Sequence, residues 1–92
     1  MTGTAIRTPY PAPESGVIYA VHPPAVIQGS EVTPYVYVTS CPQVGDTQVL
    51  PCTRDGHVLR LVLLGLVSTQ DHAAALLDAG WELEEVTSCV VA

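Results

Sequence analysis

The chain has no lysine, no asparagine and no phenylalanine, and each absence restricts what it can be. Without lysine, its only cations besides histidine are Arg7, Arg54 and Arg60, and the formal net charge is −6. Three scattered arginines cannot form the basic stripe that neutralises phosphates, which excludes direct nucleic-acid binding. Anionic membrane surfaces are disfavoured on the same ground. Without phenylalanine, the 48% apolar content is largely Val and Leu. Branched Cβ atoms suit a pleated surface, so strands are favoured. Only 13% of residues are charged, which is low for a small free-standing domain. Either another molecule covers part of the surface, or Thr, Ser, Gln and Pro supply its polarity. Lys, Asn and Phe share A/T-rich codons, and Ile is rare as well, which points to a high-G+C bacterial or phage genome.

Long apolar runs are also missing. The longest, residues 61–67, is far too short to span a bilayer. Near the N-terminus, Arg7 is followed by Pro9, Pro11 and Pro13 where a signal peptide would be apolar. The expected location is the cytoplasm, or a virion assembled there. Cysteine is scarce and odd in number: Cys41, Cys52 and Cys89. That argues against a disulfide framework and for small buried hydrophobes, with a Cys41–Cys52 pair left open.

What is present reads as one domain, since 92 residues are too few for two cores. Residues 1–15 are expected to be a Pro-rich arm biased to polyproline II, and residues 16–92 a single α+β domain. Val17 to Val21 read as a short strand broken by His22-Pro23-Pro24. Residues 25–28 and 31–40 flank Gly29-Ser30, a two-residue hairpin connector. In the second strand, Val36 and Val38 face one way and Tyr35, Tyr37 and Thr39 the other. Arg54-Asp55-Gly56-His57 marks a second hairpin, from residues 48–53 into 58–67. Leu59, Leu61 and Leu63 fall on one face of the outgoing strand and Val58, Val62, Leu64 and Leu66 on the other. That predicts a central strand covered on both sides.

A short helix is expected at about 69–79, with Ser68 as N-cap, Asp71 completing a capping-box-like pair, and Gly80 in the left-handed cap position. Residues 81–91 then read as a strand, with a bulge near Glu84-Glu85 reconciling Trp81 and Leu83 with Val86 and Val90. A right-handed β-α-β crossover would set it parallel to residues 58–67. The expected fold is therefore α+β: a mostly antiparallel β-meander of about five to six strands, closed by that crossover.

The stretch 68–86 resembles part of a small uncharacterised family of bacterial and phage proteins. In that family a short helix ends in Leu-Leu and leads through Gly-Trp-Glu-Leu-Val into a strand. Leu76, Leu77, Gly80, Trp81, Glu82 and Leu83 match, and Glu84 stands where the family tends to have Val. The resemblance covers about a fifth of the chain. It implies a fold fragment and no activity.

Chemistry is thinly marked. Glu82, Glu84 and Glu85 are the densest charge; Glu82 and Glu84 would project from one strand face about 7 Å apart. Such a pair can do acid–base work or hold a cation, but it also suits a solvated face that blunts an edge strand, which is the reading taken. His22, His57 and His72 with the three cysteines lack the close ligand pairs of zinc sites. A trio such as Cys89, His72 and Asp71 has no nucleophile signature. No catalytic residue, metal or cofactor is therefore expected. Tyr10, Tyr35 and Tyr37 are candidate partner contacts, because exposed tyrosine on a poorly charged surface is typical of interfaces. Cross-strand packing is the alternative for Tyr35 and Tyr37.

The function expected from these features is non-enzymatic. The first reading is a small assembly or structural protein, self-associating or part of a larger particle such as a phage virion. The alternative is a small acidic regulator or inhibitor that binds one host protein through Glu82, Glu84 and Glu85. A metal-binding or enzymatic domain ranks third.

Overall fold

Alternation and turn chemistry build most of the sheet. The computed structural model describes residues 3–12, 16–41, 43–60 and 62–84. Over these, six strands and one helix follow in the order β1 Gly3–Arg7, β2 Val17–Gln28, β3 Glu31–Cys41, β4 Asp46–Cys52, β5 Gly65–Val67, α1 His72–Ala79 and β6 Trp81–Leu83. The sheet order is β5-β4-β3-β2-β1-β6. All neighbours are antiparallel except β1 and β6, which run parallel. The fold is thus mostly β with one short helix, as expected, but its sheet is mixed.

Both faces of the central strands are covered. Val36, Val38 and Val49 lie with Ala5, Tyr19, Val21, Ala25 and Trp81 on the face where Ala75 and Leu76 of α1 pack. On the other face Ile18, Tyr37, Leu50 and Cys52 form a second cluster, against which Tyr10, Ala12, Tyr35 and Val58 pack. The Pro-rich segment therefore roofs one side of the sheet. Thr8 anchors it, its backbone N–H and its hydroxyl both donating to the Ile18 carbonyl at 3.0 and 2.8 Å.

Several expectations give way. The stretch read as an arm contains β1, an inner strand pairing Ala5 with Val21 on one side and with Leu83 on the other. The strand read as broken at His22-Pro23-Pro24 continues as β2, absorbing the two prolines in a register shift between Ala20 and Ala25; the His22–Pro23 bond is cis. Proline lacks an N–H, so the ladder lapses there without ending the strand.

Residues 58–67 are not a central strand. Val58 bridges to Cys52, and regular pairing resumes only at β5, where Gly65 faces Val49. Between these anchors β4 advances three residues and the outer segment seven, a surplus of four. Leu59 still donates its N–H to the Pro51 carbonyl at 2.9 Å; beyond it the surplus leaves the ladder, and Leu59, Val62 and Leu63 are exposed. Apolar density on both parities does not by itself mean burial on both sides.

The crossover also differs. β6 pairs with β1, not with residues 58–67, and lies at the opposite end of the sheet order from β5. Yet α1 packs against both β5 and β6, so the sheet curls to bring its two outer strands onto one helix. Gly65 permits the approach, since a Cβ there would stand 2.6 Å from the Ala75 carbonyl oxygen. At the other end Gly3 donates to the Gly80 carbonyl at 2.9 Å, and Trp81 Nε1 donates to the Pro23 carbonyl at 2.9 Å.

The helix starts later than expected. Asp71, not Ser68, is its N-cap, with extended backbone and a carboxylate accepting from the Ala73 and Ala74 N–H groups. Its end is as read: Gly80 adopts φ 110°, and its N–H reaches the Leu76 and Leu77 carbonyls. The bulge expected near Glu84-Glu85 and the strand beyond it lie outside the described residues.

Candidate interaction surface

The β2–β3 hairpin projects beyond β1, whose pairing on β2 stops at His22. Gly29, at φ 60°, makes the two-residue turn possible, closing Gln28 against Glu31. Val26 and Val32 face each other just inside it. At this end of the sheet the looped-out part of the 58–67 segment comes alongside. Ile27, Glu31, Val32, Leu59 and Arg60 line a shallow cleft of about 350 Å³. Arg60 and Glu31 approach to 3.7 Å, both still largely exposed. Beside them Val26, Val32 and Leu59 are each between 40% and 57% exposed. Single exposed hydrophobes need no explanation, but several around one cleft mark a contact surface.

The residues singled out in the sequence fare differently. Tyr37 is only 6% exposed and belongs to the second core cluster. Gly16 lies against its ring, since a Cβ there would collide with the aromatic carbons. Tyr35 and Tyr10 are half-buried, with ring centroids 5.9 Å apart in an edge contact. The Arg54 guanidinium lies 5.4 Å from the Tyr10 ring centre, within cation–π range. The three tyrosines do come together, as packing of the Pro-rich segment on the sheet. The alternation that paired Tyr35 with Tyr37 was right, but the face it assigned is covered.

Glu82 and Glu84 are exposed at and beyond the outer strand β6, and Glu85 lies outside the described residues. Asp71 spends its carboxylate on the helix, and Cys89 lies outside the described residues, so the trio with His72 is not assembled. The Tyr19 hydroxyl and His72 Nδ1 share a hydrogen bond of 3.2 Å. Burial, then the nearby Arg7 charge, hold the His72 imidazole below its usual pKa. Burial raises the Tyr19 phenol. Cys41 and Cys52 are free, and they sit at opposite ends of the β3–β4 ladder, one opposite Asp46 and the other opposite Tyr35. Six residues of strand between those rungs is roughly 20 Å, which rules out a bond between them. Burial pushes the Cys52 thiol up to about 12, so it is inert at neutral pH. Among the described residues no three His, Cys, Asp or Glu side chains gather as a metal-binding group, and no helix is long and apolar enough to cross a membrane.

The exposed residues at the cleft were missed. Val26 and Val32 flank a turn, where an apolar pair reads as ordinary hairpin packing, and Leu59 to Leu63 read as core. Arg60 in the middle of that run was the available signal, since a buried strand does not readily hold an unpaired cation. Comparison with protein-family models, curated proteins and solved structures finds no match to this chain.

Proposed function

We propose that this chain works by protein–protein contact, as a small assembly or structural protein that associates with itself or within a larger particle. The observation that carries this reading is the cleft at the hairpin end, where Val26, Val32 and Leu59 stay exposed beside the exposed Glu31–Arg60 pair. Exposing these apolar side chains costs solvation free energy that a docked surface would recover, at about 25 cal/mol per Å² of apolar area. The polar Glu31–Arg60 pair beside them supplies direction, as charged groups at interface rims do.

Size-exclusion chromatography with light scattering tests the reading. The purified chain is expected to run as a discrete oligomer. A variant carrying Val32→Lys and Leu59→Lys is expected to run as a monomer with unchanged circular dichroism. An obligate monomer across the accessible concentration range would overturn self-association.

A second reading rests on Glu82 and Glu84, exposed at the β6 edge of a chain with net charge −6. An acidic regulator would use them against a basic partner, and its binding would weaken with salt. Reversing both to Lys would abolish such binding while leaving self-association intact.

A further inference from the structure

The cleft also indicates what occupies it. We propose that its occupant is a second copy of this chain, docked about a two-fold axis so that Glu31 and Arg60 of each copy meet Arg60 and Glu31 of the other. This rests on the self-association reading above and deepens it by naming the face and the reciprocal contact.

Charge is the first argument. The chain carries nine acidic residues against three arginines, so most charge contacts between two copies would set like against like. Like-charge juxtaposition suppresses wrong pairings. Of the three arginines, Arg54 lies over the Tyr10 ring and Arg7 lies near Tyr19 and His72. Arg60 stands at the cleft beside the Glu31 carboxylate, so the patch is locally neutral. The exposed Glu82 and Glu84 lie at and just beyond β6, which pairs with β1 and not with the hairpin. At this face a second copy meets apolar surface without a net opposing charge.

Self-complementarity is the second argument. A two-fold contact uses the same patch twice, so each group must find its complement on the same patch. Glu31 and Arg60 meet that condition. They lie 3.7 Å apart with side chains 62% and 53% exposed, leaving each free to take a second partner. Across the axis the four groups form a ring of alternating sign, and Val26, Val32 and Leu59 beside them supply the desolvated area.

The experiment uses the full chain and two single variants, Glu31→Arg and Arg60→Glu, read by light scattering and native mass spectrometry. Wild type is expected to be dimeric. Each single variant puts four like charges at the axis and is expected to be monomeric at the same concentration, with at least a tenfold weaker self-affinity. Mixing the two in equal amounts is expected to restore a dimer of one copy of each, because each contact across the axis again joins an arginine to a glutamate. The doubly reversed variant is expected to dimerise with itself.

The mixture separates this proposal from an intrachain role, because mixing cannot repair a contact within one chain. Singles that dimerise like wild type, or a mixture that stays monomeric, would overturn the reciprocal contact and leave self-association by another face. A monomeric wild type would overturn both. Circular dichroism of the singles controls for folding, which an exposed ion pair affects little.

Discussion

The hydroxyl of Thr47, on β4, accepts the backbone N–H of Asp71, the cap of α1, at 3.2 Å. The same hydroxyl donates to the Thr69 carbonyl at 2.7 Å and lies 2.8 Å from the Ser40 hydroxyl. A hydroxyl has one proton, so with Thr47 donating to Thr69, Ser40 must be the donor to Thr47. One fully buried side chain thus fixes the start of the helix to the sheet.

Thr47→Val should therefore cost more than its change in volume. It keeps the shape but leaves the Thr69 carbonyl and the Asp71 N–H without this partner, a loss of about 1–3 kcal/mol. Urea unfolding is the measurement. Ser40→Ala, which removes one donor at a less buried site, should cost less; equal stability of Thr47→Val and wild type would count against the buried bond.

Gly65→Ala should destabilise by about 1–3 kcal/mol, the usual range for overpacking. The added Cβ would stand 2.6 Å from the Ala75 carbonyl oxygen and 2.9 Å from the Ala79 Cβ, so either helix or strand must shift. Leu66→Ala, at an exposed neighbour, is the control and should change the midpoint little. An unchanged midpoint for Gly65→Ala would mean that strand and helix do not lie this close.

His72 makes stability depend on pH. Its folded pKa lies below the ordinary value of 6.5, because burial and then Arg7 disfavour the charged ring, while Asp71 opposes them. Its position at the first turn of α1 adds the unfavourable end of the helix dipole. The unfolded chain binds the proton more readily, so this contribution is complete above about pH 6.5 and is lost as pH falls toward the lower folded pKa. Thermal melts at pH 7.5 and pH 5 should show a larger drop for wild type than for His72→Gln. Equal drops would assign the acid sensitivity to the carboxylates.

Local chemistry was legible where short-range rules suffice. Gly80 ends the helix, Gly29-Ser30 makes a hairpin, and Asp55-Gly56 turns the chain, with the Thr53 N–H donating to the His57 carbonyl at 2.9 Å. The alternation of residues 35–39 was correct in parity, since Val36 and Val38 enter one cluster and Tyr37 the other. Periodicity cannot show what covers a face. Tyr37 looked available because nothing local indicated that Tyr10 and Ala12 would lie over that side. Leu59 to Leu63 erred the opposite way, since apolar character on both parities gives no warning that the ladder will gain four residues. An even surplus returns each later side chain to its original face, so the pattern carries no trace of it. Residues 3–7 carry a strand that prolines downstream made look like an arm. The contact surface stayed hidden because it depends on the hairpin and the looped segment lying side by side.

The parallel pairing of β1 with β6 sets a schedule for biosynthesis. β1 leaves the ribosome before every other strand of the sheet, and β2 can join it next. Its other neighbour does not exist until residue 83 has been made and has cleared the exit tunnel. Until then Ala5 and Gly3 present an unpaired strand edge to the cell, and Trp81 is not there to take the Pro23 carbonyl. The emerging chain carries a partly built sheet from β2 until β6, and closure waits for the last strand of the sheet.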